Sequence, residues 1–236
     1  MITAIADALV QALIFFHGLT GSYGTAIILL TIAIKLVLHP LTRRQLRSMK
    51  EMQALAPQIS VLREKYKENP KTLNIEVMSL YRAHHVNPFG GCLPMLVQLP
   101  VLWGLFAALR RADLFRGAIF LGIPLDTVPT VQLLLQQPVL VVVPVLVGLT
   151  TYFQQRMSVT DPQQARMFMF MPILVGYFAT QFPIGLSIYW IVSTLAYIVE
   201  YYVVVGLPGP VSALAPAGGV KPSSLLPQRP KGTKKR

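Results

Sequence analysis

Lys35 is the one charge in an otherwise apolar run, YGTAIILLTIAIKLVLHPL, and a cation placed there has few uses. It can hold an anion, draw in an acidic peptide segment, pair with a carboxylate from another helix, or snorkel to a lipid headgroup. A lysine at mid-span costs ~2.5–3.5 kcal/mol on insertion scales, so such charges usually face a bundle interior or water. Lys35 precedes Leu41 by six residues, roughly 9 Å along a helix, a depth from which snorkelling remains open. Other polar groups lie at similar depth. Thr31 is one turn from Lys35 on the same face. Gln98 and Gln154 fall inside two further apolar stretches. Trp190, Ser193, Tyr197 and Glu200 follow a three-four-three spacing that aligns them on one face of the last stretch. Together they could line a wet recess, and a Lys35–Glu200 ion pair is geometrically allowed.

Catalytic patterns are missing from the sequence. It holds no glycine-rich phosphate loop, His-Glu metal pair, nucleophile elbow or paired intramembrane carboxylates. His84 and His85 are adjacent, which on a helix points them about 100° apart, so a solvated helix end is the better reading than a metal site. Asp7, Asp113, Asp126 and Asp161 fall at interfaces or in loops, and Cys92 is the single cysteine. An enzyme, a cofactor and a metal are therefore not expected.

The elements that would position these residues follow from composition. The chain has 236 residues, 53% hydrophobic and only 13% charged, with a mean hydropathy of +0.55. So little charge cannot cover a water-soluble globule, which makes lipid the expected solvent for much of it. The expected fold is all-α and polytopic, with five transmembrane helices, a cytoplasmic helical hairpin and a hydrophilic groove open to the cytoplasm. Residues 1–20 carry no Lys or Arg, unlike a cleavable signal peptide, and their apolar period fits an interfacial amphipathic helix on the outside. The spans are expected at 21–41, 91–109, 133–154, 166–182 and 184–206, with an external loop at 110–131 and a cytoplasmic loop at 155–165. Between the first two, residues 42–87 carry nine Lys and Arg, and Leu46, Met49, Met52, Leu55, Ile59, Leu62 and Tyr66 step by three or four. Asn69-Pro70 interrupts that period before Leu73, Val77 and Leu80 resume it, the pattern of two antiparallel amphipathic helices. Residues 207–236, rich in Pro, Gly, Ser and Ala, should form a disordered basic tail.

Charge sets the orientation. Of 21 Lys and Arg, nine fall in the hairpin and six in the tail, which places both in the cytoplasm and the N-terminus outside. Arg110, Arg111 and Arg116 in the external loop count against this scheme and are outnumbered. The net charge of +12 would suit the ribosome or an anionic lipid surface.

Two long runs carry a resemblance. IAIKLVLHPLTRRQLRSMKEMQALAPQISVLREKYKENP (32–70) and MSLYRAHHVNPFGGCLPMLVQLPVLWGLF (78–106), followed by DPQQARMFMFMPILVGYFATQFPIGLSIYW (161–190), resemble the YidC/Oxa/Alb family of membrane protein insertases. The likeness runs in order from residue 22 to about 205 and includes the NPxGGCxP element. It implies a bacterial inner-membrane protein that inserts and chaperones nascent membrane proteins, alone or with the Sec translocon. It also implies ribosome engagement through cytoplasmic basic regions, contact with anionic lipids and function as a monomer. By position, Lys35 takes the place of the family's groove arginine, Thr31 that of the groove threonine, and Trp190 that of a substrate-contacting aromatic; Gln154 falls where the third span supplies a polar groove residue. Lys for Arg keeps the charge and loses the rigid five-donor fork. Glu200 and Tyr201 stand where the family commonly has Gln-Gln. No large outer domain is present, as expected of a short-form member. The alternative reading is a small transporter or channel with an anion site at Lys35.

Overall fold

The computed structural model describes residues 2–87, 93–111, 115, 117–159 and 168–206. The Gly90-Gly91-Cys92 element, Arg116, the segment 160–167 and the tail 207–236 lie outside the described residues. The described chain is helical apart from one two-stranded hairpin.

Helix α1 (Ile2–Thr20) stops at Gly21, whose positive φ of 69° lets its N–H close back on the His17 carbonyl at 2.8 Å. The chain then reverses into α2 (Tyr23–Lys65), and the His17 and Tyr23 rings stack across the reversal with centroids 3.8 Å apart. Read from sequence, α1 is an interfacial helix; in the fold it packs against α2 and α4 (Leu93–Arg111), with Ala6 and Leu13 fully buried. Gly104 permits the close α1–α4 approach, since a Cβ there would stand 2.7 Å from Ile5.

Helix α2 is the main departure from the sequence reading, which separates a first span (21–41) from the hairpin (42–87). Its 43 residues run without a break through Pro40 and Pro57. The onset of charge at Arg43 changes the solvent the helix meets without changing its period. Thr42 donates its hydroxyl to the Leu38 carbonyl at 3.2 Å, one turn back along the same helix. The hairpin turn falls at Asn69-Pro70: Asn69 caps α3 (Pro70–Ala83) by accepting the Thr72 N–H, and Pro70 sits where no donor is needed. The arms close on each other through Leu55, Ile59, Leu62, Leu73, Val77 and Leu80. The same cluster includes Tyr197 and Tyr201, so the hairpin base is docked on the last helix rather than standing clear of it.

Beyond α4, strands β1 (Ile119–Phe120) and β2 (Ile123–Pro124) pair antiparallel around a Leu121-Gly122 turn with positive φ at both residues. Short α5 (Val131–Gln136) and a 3-10 turn (Pro138–Val141) lead into α6 (Val142–Ser158). The last helices are α7 (Met171–Ala179) and α8 (Ile184–Val205). Helix α8 packs on α2 and α6, and α6 also on α7. Gly148 and Gly176 allow the α6–α7 contact, where a Cβ on Gly176 would lie 3.0 Å from the Pro144 carbonyl. Lipid tails are as apolar as leucine, so such close backbone approach is a main source of attraction between membrane helices.

Among the described residues three helices are long and apolar enough to cross a membrane: α2, the segment Pro138–Ser158, and α8. Their outer faces are apolar, for example Leu195, Val199 and Val203 at successive turns of α8. Helix α4 has a shorter apolar stretch, Leu99–Ala108, and the nine described residues of α7 cover roughly 14 Å, less than the expected 166–182.

Candidate functional site

Helices α2 and α8 meet through charge near the C-terminal end of α8. His39 Nδ1 and Glu200 Oε1 are 2.6 Å apart. Lys35, one turn before His39 on α2, is partly buried and interacts electrostatically with the Glu200 carboxylate. The sequence pointed to a Lys35–Glu200 pair; the direct hydrogen-bond contact of Glu200 is with His39, and Lys35 flanks it. Glu200 has a side-chain exposure of only 13% against 43% for His39, and its second oxygen, Oε2, is buried with no hydrogen-bond partner. A carboxylate oxygen shielded from water and left without a donor is costly unless something supplies one.

One turn away, Tyr197 joins three elements. Its hydroxyl lies 3.0 Å from Ser158 Oγ at the end of α6 and donates to Met49 Sδ of the hairpin arm at 3.6 Å. Next to it Gln53 donates to the Met157 carbonyl at 3.2 Å and to the Tyr201 hydroxyl at 3.3 Å. Lys50 donates to the Val205 carbonyl at 3.1 Å, satisfying one of the orphan acceptors at the end of α8.

Further along α8, Trp190 Nε1 donates to Thr151 Oγ1 of α6 at 3.1 Å. Its ring forms part of the wall of an apolar cavity of about 250 Å³ between α4, α6, α7 and α8, with Leu102, Trp103, Phe106, Phe178 and Phe182. Trp190 is thus apolar on one side and hydrogen-bonded on the other, the dual character that suits tryptophan to such a boundary. Ser193 is buried on α8. Thr31, only 1% exposed, donates to the Ile27 carbonyl of its own helix at 2.7 Å. Gln154 is half-buried on α6. Gln98 falls in α4, and its side chain lies outside the described residues. The predicted face Trp190, Ser193, Tyr197 and Glu200 therefore divides its work, Trp190 reaching α6, Tyr197 both α6 and α2, and Glu200 α2.

His39, Gln53 and Ser158 belong to the polar layer and Thr151 meets Trp190 beside the cavity; none of the four was singled out from sequence. His39 carried a usable signal, four residues after Lys35 and hence on its face. The other three had none, because a lone Gln, Thr or Ser in a helix is ordinary.

At the opposite end of α8 the contacts are of another kind. The Ile184 N–H donates to the Thr127 carbonyl and the Gly185 N–H to the Leu125 carbonyl, both at 3.0 Å, so the loop after β2 satisfies donors that would otherwise be orphaned. Phe120 lies across Gly24 at the start of α2, where any Cβ would collide with its ring. Leu13, Ile27, Leu105, Phe115, Leu125 and Tyr189 form the apolar core beneath.

Comparison with known proteins agrees on one family. A family model described as "60Kd inner membrane protein" matches residues 15–206. The chain is 42% identical over 200 residues to the "Membrane protein insertase YidC" of Geobacter sulfurreducens, covering 84% of this chain and 36% of that protein. It is 41% identical over 201 residues to the protein of the same name from Nitratidesulfovibrio vulgaris (strain DP4), covering 84% and 38%. It thus spans less than two fifths of the length of these relatives. Among solved structures it is similar to "Active YidC insertase crystal structure with the first transmembrane domain resolved", with a TM-score of 0.69 and 28% identity over 84% of this chain and 46% of the other.

Proposed function

The chain belongs to the 60Kd inner membrane protein family, and from that premise we propose that it is a membrane protein insertase. It inserts and helps fold nascent membrane proteins, acting as a monomer, alone or beside the Sec translocon, with no chemical step, cofactor or metal. One observation carries this reading: α8 bears Trp190 on the apolar cavity and, ten residues or roughly 15 Å further on, Glu200 against His39 and Lys35. A substrate with an apolar span and a polar flank has the same two parts. Its apolar span lies along the cavity while its flank exchanges water for the polar layer, lowering the several kcal/mol that each unsatisfied group costs in hydrocarbon.

The spans are α2, α4, α6, α7 and α8, in a bacterial inner membrane, with the N-terminus outside and the polar layer, the hairpin 42–87 and the C-terminus at the cytoplasmic face. The basic hairpin and tail meet the ribosome and anionic lipid there, as charge of this sign and place favours. The matched relatives do not favour the transporter reading.

Depletion in the native host, with any paralogue deleted, tests this. Protease mapping of a small phage-coat-type protein should show its translocated flank becoming inaccessible from outside when the chain is depleted. Unchanged translocation in that strain contradicts the proposal.

A further inference from the structure

The Glu200 carboxylate does more than tie two helices together. Its Oε1 is engaged by His39, while Oε2 is buried without a donor between α2 and α8. Lys35 is the nearby cation, and its charge and that of Glu200 act on each other. A lone lysine in a recess walled by protein attracts carboxylates and repels ammonium and guanidinium groups, and both effects are stronger there than in bulk water. A carboxylate beside it cancels much of that field and leaves an acceptor to be satisfied.

We infer that Glu200, held by His39 beside Lys35, sets the charge preference of the groove, so that it admits basic and donor-bearing segments as readily as acidic ones. The inference rests on the insertase reading and names the substrate class: proteins whose translocated flank carries Lys, Arg or uncharged hydrogen-bond donors. Oε2 is covered while α2 and α8 are packed together, so an incoming ammonium or amide N–H pairs with it as a substrate parts the two helices, and an incoming carboxylate must compete with Glu200 for Lys35. The apolar cavity has no part in this discrimination, since its lining offers almost no polar group to read charge.

The test uses the full chain in vesicles of phosphatidylethanolamine and phosphatidylglycerol. Three versions of one small single-span protein are compared, their translocated flanks carrying two Glu, two Gln or two Lys, and insertion is read as protease protection. Wild-type protein should insert all three to similar extents. Glu200→Gln should lower the Lys version about threefold relative to the Gln version and raise the Glu version about twofold, a size typical of a single partly solvated charge pair. Lys35→Gln, which removes a costly charge and so should fold readily, should shift the two in the opposite sense. Glu200→Asp should restore the wild-type preference. If Glu200→Gln and Lys35→Gln scale all three substrates equally, the inference is overturned while the insertase reading stands. If the wild-type protein inserts none of the three above protein-free vesicles, the insertase reading is overturned and the inference with it.

Discussion

Helices α2 and α8 are joined at both ends, by different chemistry. Near the start of α8 they are held by Phe120 lying on Gly24, by backbone carbonyls of the loop after β2, and by a core of Leu13, Leu105, Leu125 and Tyr189. Near its end they are held by side-chain polar contacts: His39 with Glu200, Met49 with Tyr197, Gln53 with Tyr201. Close apolar fit has no substitute once lost, because a polar peptide cannot replace it. A side-chain hydrogen bond can be exchanged for one to water or to another chain at little net cost. The first end is therefore the harder to part and the second the easier to exchange, an asymmetry that suits the one-sided access proposed above.

Substitutions at the shut end should show the largest effects. Leu105→Ala removes a wholly buried side chain from the core between α1, α2 and α4. It should cost about 3 kcal/mol, seen as a clear drop in the thermal unfolding midpoint of the detergent-solubilised protein. Gly24→Val drives a side chain into the Phe120 ring. An expected cost of about 1–3 kcal/mol should come with faster proteolysis of the loop 117–130. At the open end Tyr197→Phe removes a hydroxyl that meets Ser158 and Met49. Stability should fall by only about 1 kcal/mol, while proteolytic nicking of the hairpin rises as its base loosens. A loss at Tyr197 equal to that at Leu105 would erase the distinction between the ends.

Much of the open end was legible because charge in an apolar run is costly and therefore visible. Lys35 and Glu200 stood out in sequence on that ground alone, and the Asn69-Pro70 turn on its cap chemistry. The contact itself was displaced by one turn, to His39, since two helices of unknown crossing angle do not reveal which of two residues on a face comes nearest. The continuity of α2 was not legible either. Pro40 and the charge run after it mark a change of solvent, and that resembles a change of element. The shut end was nearly invisible, because its clasp runs through the carbonyls of Leu125 and Thr127, and every residue but proline has the same backbone groups. The small residues at the α6–α7 contact, Gly148 and Gly176, are equally silent until the helices are placed together.

The difference between the two ends is tested most directly by water access. In a Cys92→Ser background, Lys35→Cys places a thiol in the polar layer and Leu186→Cys one in the shut end, and a membrane-impermeant maleimide is applied to oriented vesicles. Position 35 should label in inside-out vesicles and stay unlabelled in right-side-out ones, with position 186 unlabelled in both. Labelling of position 35 from the outer face, or of position 186 from either, would contradict the account.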